Sequence, residues 1–365
     1  MANHLTLAVA GSGKTRGIVD YCARLPIGRR ALVLTYTQAN QAELRGRLAS
    51  RAGDHPEIEV LGWYTFLLRH FARPFLPFLF PGKRILGFNF EGRPHLKAKG
   101  LCRFLDAGGA AYACELGRLA HELIEASGGA LLRRLQCIYK ELLIDEVQDL
   151  SSHDWEIVDA LLNSTLDIYM VGDIRQAVLA TNPRSRKNKR YAYADSIHWF
   201  RERESKGILQ ISETSETWRC RPEIAAFADT IFDSGWGFPE TQSRNDKVSG
   251  HDGVFLVRPE DVYRYVDEFK PQCLRSSANS GKAFHLDYVN FRVAKGTQCT
   301  RILIAPTSGI EKFIQCGTPL DPFPAASFYV AATRAFQSLA VILAEPGNSA
   351  LPFWEIGRAS CRERV

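Results

Sequence analysis

Leu5-Thr-Leu-Ala-Val-Ala10-Gly11-Ser12-Gly13-Lys14-Thr15 decides the fold class. Leu5–Ala10 is a short apolar run that reads as a buried strand, and a glycine turn follows it at once. Lys14–Leu25 then reads as a helix, which Pro26 and Gly28 end. Strand, glycine turn and helix in that order make a phosphate-binding loop. Backbone N–H groups of Ala10, Gly11, Ser12 and Gly13, beside a helix start, hold a triphosphate, and a side chain at Gly11 or Gly13 would block its approach. Lys14 is placed to neutralise the β- and γ-phosphates, and the Thr15 hydroxyl to coordinate Mg²⁺. The first position of the pattern is Ala8 where glycine is usual.

Outward from this loop the chain keeps the rhythm of a parallel α/β sheet. Ala31–Thr35 is a second buried-strand candidate, followed by a helical run over 39–49. The stretch from Phe66 to Leu135 breaks the alternation with Pro74, Pro77, Pro81 and Pro94, and its helical part lies around Cys114–Ala126, so it reads as an insertion. Alternation resumes at Glu141–Ile144 and Asp167–Val171. A second α/β pattern begins near Ile208, with strand candidates Val254–Val257, Arg301–Ile304 and Ser338–Leu343. The resulting domains are 1–207, with an insertion at about 67–135, and 208–354. Residues 355–365 are charged and aperiodic, and read as translated vector sequence or a native disordered tail.

Composition sets the outer bounds. The 365 residues carry 46 Lys+Arg against 40 Asp+Glu, a net +6, with 45% hydrophobic and 24% charged residues. These values exclude a disordered or collagen-like chain and suit two folded domains. No apolar run approaches the roughly 18 residues of a membrane span, and the first residues lack a secretory pattern. Nine scattered cysteines without a C-x-x-C pair fit reduced thiols in the cytoplasm, not a disulfide framework or a zinc site. The mild positive charge permits a polyanionic partner without requiring one.

A second stretch carries chemistry. Leu142-Leu-Ile-Asp145-Glu146-Val-Gln148-Asp149 is an apolar strand delivering two adjacent carboxylates to its C-terminal end, where ligands sit in open α/β sheets. Asp145 is suited to hold Mg²⁺ through water. Glu146 is suited to orient and deprotonate the water that attacks a γ-phosphate.

With both stretches in place, the sequence resembles superfamily 1 helicases of the UvrD/Rep type, whose second motif has this Asp-Glu-x-Gln-Asp form. Further blocks follow in the family's order. Leu34-Thr35-Tyr36-Thr37-Gln38 and Gly62-Trp63-Tyr64-Thr65-Phe66 resemble blocks that face single-stranded DNA. Val171-Gly172-Asp173-Ile-Arg175-Gln176 resembles the third motif, in which Gln176 would sense the γ-phosphate. Thr217-Trp218-Arg219-Cys220 stands where the family has Asn-Tyr-Arg-Ser. Ala294-Lys295-Gly296-Thr-Gln298 resembles the fifth motif, where Gln298 falls at a ribose contact, and Tyr329-Val330-Ala-Ala-Thr333-Arg334 resembles the sixth.

The resemblance implies two RecA-like P-loop NTPase lobes with parallel sheets, the first carrying the small, mostly helical insertion. It implies an ATP- and Mg²⁺-dependent enzyme moving 3′ to 5′ on single-stranded DNA or a tailed duplex, with Arg219 and Arg334 as arginine fingers. Such guanidiniums typically add ~10³–10⁵ in rate; if they belong to a different lobe from the phosphate loop, hydrolysis requires closure. Tyr36, Trp63 and Tyr64 are stacking candidates, Thr35, Thr37 and Thr65 lie beside them, and Trp218 reads as packing or adenine stacking. The basic run Ser185–Arg190 reads equally as a backbone-tracking patch or a solvated loop.

Departures from the family shape the alternatives. The upstream glutamine motif is absent, the aromatic expected after Gln176 is Ala177, and Thr297-Gln298-Cys299 replaces Leu-Glu-Phe. Too few residues separate Cys220 from Phe291 for the large subdomain that full-length relatives insert there. A DNA-stimulated ATPase that needs a protein partner in a repair or antiphage complex is therefore the second reading. A P-loop enzyme without a nucleic-acid role, and an inactive truncated fragment, are the others.

Overall fold

The computed structural model describes residues 3–53, 55, 57–182 and 184–355. The tail reading at 356–365 lies outside the described residues. Two compact units divide the chain. One takes the chain up to Leu7, Lys14–Gly172 and Leu179–Ser212; the other takes Ala8–Gly13, Asp173–Val178 and the chain from Glu213 onward. Both are α/β and built on large sheets with parallel pairing, the RecA-like class that the motifs imply.

The first unit is organised on a six-stranded sheet in the order Ile58–Gly62, Ala31–Thr35, Glu141–Ile144, Asp167–Gly172, Asn3–Ala8, Leu209–Thr214. Its first five strands pair in parallel, with Ala31 opposite both Ile58 and Glu141, and His4 opposite Tyr169. Ala31–Thr35 is buried along its whole length, as expected for a strand covered on both faces. On one face Lys14–Cys22 and Gln38–Ala52 press Ile18, Val19, Leu44 and Leu48 onto Val33, Val60, Leu143 and Val171. Each such side chain contributes about 1.5–3 kcal/mol by leaving water. Parallel pairing brings the ends at Ala8, Thr35, Ile144 and Gly172 to one edge, and the motifs leave the sheet there.

The insertion is mostly helical. Helix Ala113–Ala126 buries Leu116, Leu119, Ala120 and Leu123, one face at helical spacing. Against that face lie the π-type turns of Leu67–Ala72 and the helix Arg73–Leu79, where Pro74 sits in the first turn. A short parallel pair, Gly87–Asn89 with Ala110–Tyr112, closes a basic turn between them.

The second unit carries an all-parallel five-stranded sheet in the order Gly253–Val257, Ala335–Ile342, Cys299–Ala305, Gln272–Arg275, Tyr288–Asn290. Helix Pro322–Ala332 is apolar almost all round, and every residue from Ala325 to Ala332 is buried. It runs through the interior and delivers Thr333 and Arg334 at its end.

Two features depart from the sequence expectation. Leu209–Thr214, expected to open the second α/β pattern, instead completes the first sheet beside Asn3–Ala8. Its alternation specifies a strand but not the partner, and the first strand had a free edge to cover. Ile58–Gly62 and Gln272–Arg275 are strands that the reading did not mark. Glu59 interrupts one, and the other offers only Cys273 and Leu274 as apolar residues. No helix among the described residues is long and apolar enough to cross a membrane.

Candidate nucleotide site and nucleic-acid face

In the first unit the acidic pair and the start of the phosphate-loop helix meet. The Thr15 hydroxyl donates to Asp145 Oδ2 at 3.5 Å. Asp145 is buried, and its own carboxylate accepts from the Glu146 amide at 3.0 Å. Burial, with the Glu146 carboxylate adding to it, pushes the Asp145 pKa upward, while the Lys14 ammonium opposes the shift. A buried carboxylate beside a second one is costly, so the pair gains from further positive charge and fits a hard divalent cation. Glu146 adopts φ 54°, the left-handed region that a non-glycine side chain enters at about 1–3 kcal/mol. Gln148 Nε2 donates to its carboxylate and fixes its direction.

The glycine turn belongs to the second unit. Gly11 and Gly13 have φ 79° and 85°. A Cβ at Gly13 would meet nothing within 4 Å, whereas one at Gly11 would lie 2.5 Å from the Cβ of Arg219. Thr217 and Trp218 hold the turn: Thr217 Oγ1 donates to Ala10 O at 2.7 Å, and Trp218 N to Gly11 O at 3.1 Å. Two polar atoms here, Ser12 Oγ and Arg219 Nε, are buried without a protein partner. Unpartnered donors beside a left-handed glycine turn fit a phosphate group.

Gln176 and Arg334 form the second cluster of that unit. Arg334 is 3% exposed; its Nη2 donates to Gln176 Oε1 at 2.6 Å, its Nε to Val330 O at 3.1 Å and its Nη1 to Thr297 O at 3.4 Å. Gln176 Nε2 in turn donates to Asp173 Oδ2 at 2.7 Å, and Lys295 Nζ donates to the Gln176 carbonyl at 3.3 Å. Arg219 is half-buried and donates from Nη1 to Thr333 O at 3.3 Å, next in sequence to Arg334. The unit that contains both arginines also contains Ala8–Gly13, so the glycine turn and the guanidiniums are parts of one packed body. Gln298 is exposed, just beyond Thr297, and lines a hollow with Phe269, Lys270 and Arg301.

Sequence reasoning missed Arg175, which is 3% exposed and pairs with Asp229 at 2.7 Å while lying 4.8 Å from the Tyr329 ring centre. Its partner is remote in sequence, and nothing local marks the charge as buried. Trp218, for which packing was one expectation, is 66% exposed. Its face is free for stacking.

The DNA-facing candidates separate into surface and core. Tyr36 and Tyr64 are half-buried with ring centres 6.0 Å apart, and Tyr64 OH donates to Thr181 O at 3.0 Å. Burial raises the pKa of both phenols, which stay neutral. Thr65 is exposed, Thr37 caps its helix by accepting from Asn40 N, and Thr35 is buried with an unpartnered hydroxyl. Trp63 is a correction. It is 1% exposed, and its indole Nε1 donates to the buried Asp154 at 2.9 Å, so it anchors the turn from beneath and presents no face to a base. Asp154 also accepts from Thr181 Oγ1 and from Ser151 N, and burial raises its pKa to about 6. In the basic run, Lys187 pairs with Glu156 at 2.9 Å and Arg190 lies over Tyr191, so part of that charge is already spent.

Comparison with known proteins gives a match over one segment. Residues 96–180 match the family model described as UvrD/REP helicase N-terminal domain, a span that includes the acidic pair and Gln176 but not the phosphate loop. A crystal structure of arterivirus nonstructural protein 10 (helicase) is similar at a TM-score of 0.48 and 15% identity, covering 93% of this chain and 59% of that one. The structure of the same viral protein with DNA gives 0.48 and 15%, covering 94% and 60%. The chain thus spans under two thirds of the length of these structures. No curated protein matches it.

Proposed function

We propose that this chain is a superfamily 1 motor of the UvrD/Rep kind, which hydrolyses ATP with Mg²⁺ to move along single-stranded DNA, 3′ to 5′, and to unwind duplex. The reading is carried by the approach of the Thr15 hydroxyl to the buried Asp145, because it joins the phosphate-loop helix to the acidic strand end that hydrolysis needs. Thr15 and Asp145 would hold Mg²⁺, which neutralises phosphate charge when bound. Lys14 supplies an ammonium to the terminal phosphates. Ala10, Gly11, Ser12 and Gly13 supply backbone donors, and the Ser12 hydroxyl a further one. Glu146, steered by Gln148, orients the attacking water and accepts its proton. Arg219 offers its unpartnered Nε to developing charge, and Arg334 reports on that charge through Gln176. Trp218 offers an exposed ring to adenine.

A second reading is favoured by one feature. From Pro222 to Asp252 the described chain forms only the helix Pro222–Asp229, one short turn of helix and a two-residue strand. A motor without a large subdomain there fits a DNA-stimulated ATPase that relies on a protein partner for unwinding. The eight described cysteines are all free, in keeping with the cytoplasm or another reducing compartment.

The deciding experiment is ATP hydrolysis with and without an oligonucleotide, in the unaltered chain, Lys14→Ala and Glu146→Gln. DNA-stimulated turnover that falls at least 100-fold in both variants is expected. Undiminished turnover in both would overturn the assignment, and turnover indifferent to DNA would leave a P-loop enzyme without a nucleic-acid role. Strand displacement on a 3′-tailed duplex, alone and with candidate partners, separates the two motor readings.

A further inference from the structure

Four rings in the first unit form one continuous row. Tyr36 and Tyr64 begin it, Phe90 meets Tyr64 edge-on at 5.9 Å, and Phe88 follows Phe90 at 5.0 Å. The row therefore leaves the edge of the sheet and continues into the insertion. Phe90 is 64% exposed, an uncommon position for a phenylalanine that has a core beside it.

The turn that presents Phe90 is held in place. Gly87–Asn89 pairs with Ala110–Tyr112, Asn89 Oδ1 accepts from Gly92 N at 2.6 Å, and Asn89 Nδ2 donates to Asp106 at 2.8 Å. A ring fixed in this way loses little freedom when something stacks on it. Charge chooses the occupant. Lys83, Arg84, Arg93, Lys97 and Lys99 are all exposed between residues 83 and 99, where Glu91 is the only acid. An exposed ring at the end of a half-buried row, flanked in sequence by cations, suits unstacked bases joined by phosphates, whereas a duplex hides its base faces.

We propose that Phe90 and the exposed cations flanking it in sequence are a single-strand contact in the insertion, extending the row that Tyr36 and Tyr64 begin. The inference rests on reading the chain as a single-stranded DNA motor, and it names residues outside the motifs that suggested that reading.

Anisotropy of a labelled oligo-dT with the whole chain over a salt series tests it. Phe90→Ala is expected to weaken binding about 5- to 100-fold, while Phe90→Trp keeps the affinity within about twofold of the unaltered chain. The pair Lys97→Ala and Lys99→Ala is expected to lower the slope of log affinity against log salt by about 1.4. The inference is overturned if Phe90→Ala binds as tightly as the unaltered chain, or if the alanine and tryptophan variants weaken alike. An unaltered chain that binds no oligonucleotide overturns the functional reading as well, so the two failures are distinct.

Discussion

Replacing Gly11 with alanine is expected to cost more stability than the same change at Gly13, and the geometry sets the size of the gap. Both residues have positive φ, 79° and 85°, so alanine at either costs about 1–2 kcal/mol in backbone strain. Only at Gly11 does the new methyl collide: it would lie 2.5 Å from Arg219 Cβ and 2.8 Å from Thr217 Oγ1. Neither atom is the free end of a flexible side chain. Thr217 is 1% exposed and tied to Ala10 O, so the turn and the segment 217–219 must part. Two hydrogen bonds go with that separation, Thr217 to Ala10 and Trp218 to Gly11, at about 1 kcal/mol each. The expected loss is about 3–4 kcal/mol for Gly11→Ala against about 1–2 for Gly13→Ala. At ~2–4 °C per kcal/mol for a unit of this size, the two melting temperatures differ by roughly 4–8 °C. Circular dichroism melts measure this, with binding of a fluorescent ATP analogue as a second readout. Relative to stability the ranking inverts there: Gly13→Ala costs affinity with the smaller loss of Tm, because its methyl enters the open side of the turn. Equal Tm values, or a lower one for Gly13→Ala, would refute the reasoning.

Arg175→Met is expected to destabilise the chain by about 3–5 kcal/mol in urea unfolding, because it removes the buried cation that the Asp229 and Asp173 carboxylates face; Asp229→Asn in the same chain should recover part of the loss, and a loss under about 1 kcal/mol would show the pair to be dispensable. Stability is also expected to fall with acid. Burial pushes His70, His153 and His251 down to about 4, so between pH 6.5 and 4 the unfolded chain takes up protons that the native chain refuses. Each histidine then costs roughly 1–2 kcal/mol, discounted for partial solvation. Asp154, raised to about 6, and Asp145, also raised by burial, work in the opposite sense over part of that range and together offset about two of the three histidines, which leaves a small net loss. Urea midpoints at pH 7.5 and pH 5 check the net sign, and an unchanged or higher midpoint at pH 5 would contradict it.

Local chemistry was legible where neighbours in sequence are also partners in space. Gly11-Ser12-Gly13-Lys14-Thr15 after an apolar run can fold in few ways, since the glycines permit positive φ and the helix follows directly. The strand Glu141–Ile144 and its two carboxylates were legible for the same reason. Trp63 was misread because an aromatic beside Tyr64 carries no mark of its depth; only Asp154, remote in sequence, shows that the indole is enclosed.

By itself, then, the sequence determined most of the alternation of strands and helices, the glycine turn and the acidic pair, all set by backbone preference and hydrophobic period. Tertiary structure decided that Leu209–Thr214 joins the first sheet, that Ala8–Gly13 packs with the unit holding Arg219 and Arg334, and that Gln176 bonds Arg334. It also decided that Phe90 stands beside Tyr64. The division has one physical cause. Dihedral preferences and side-chain period act over a few residues, whereas a strand edge, a buried charge or a ring finds its partner through space, and the free energy of that choice depends on every element already in place.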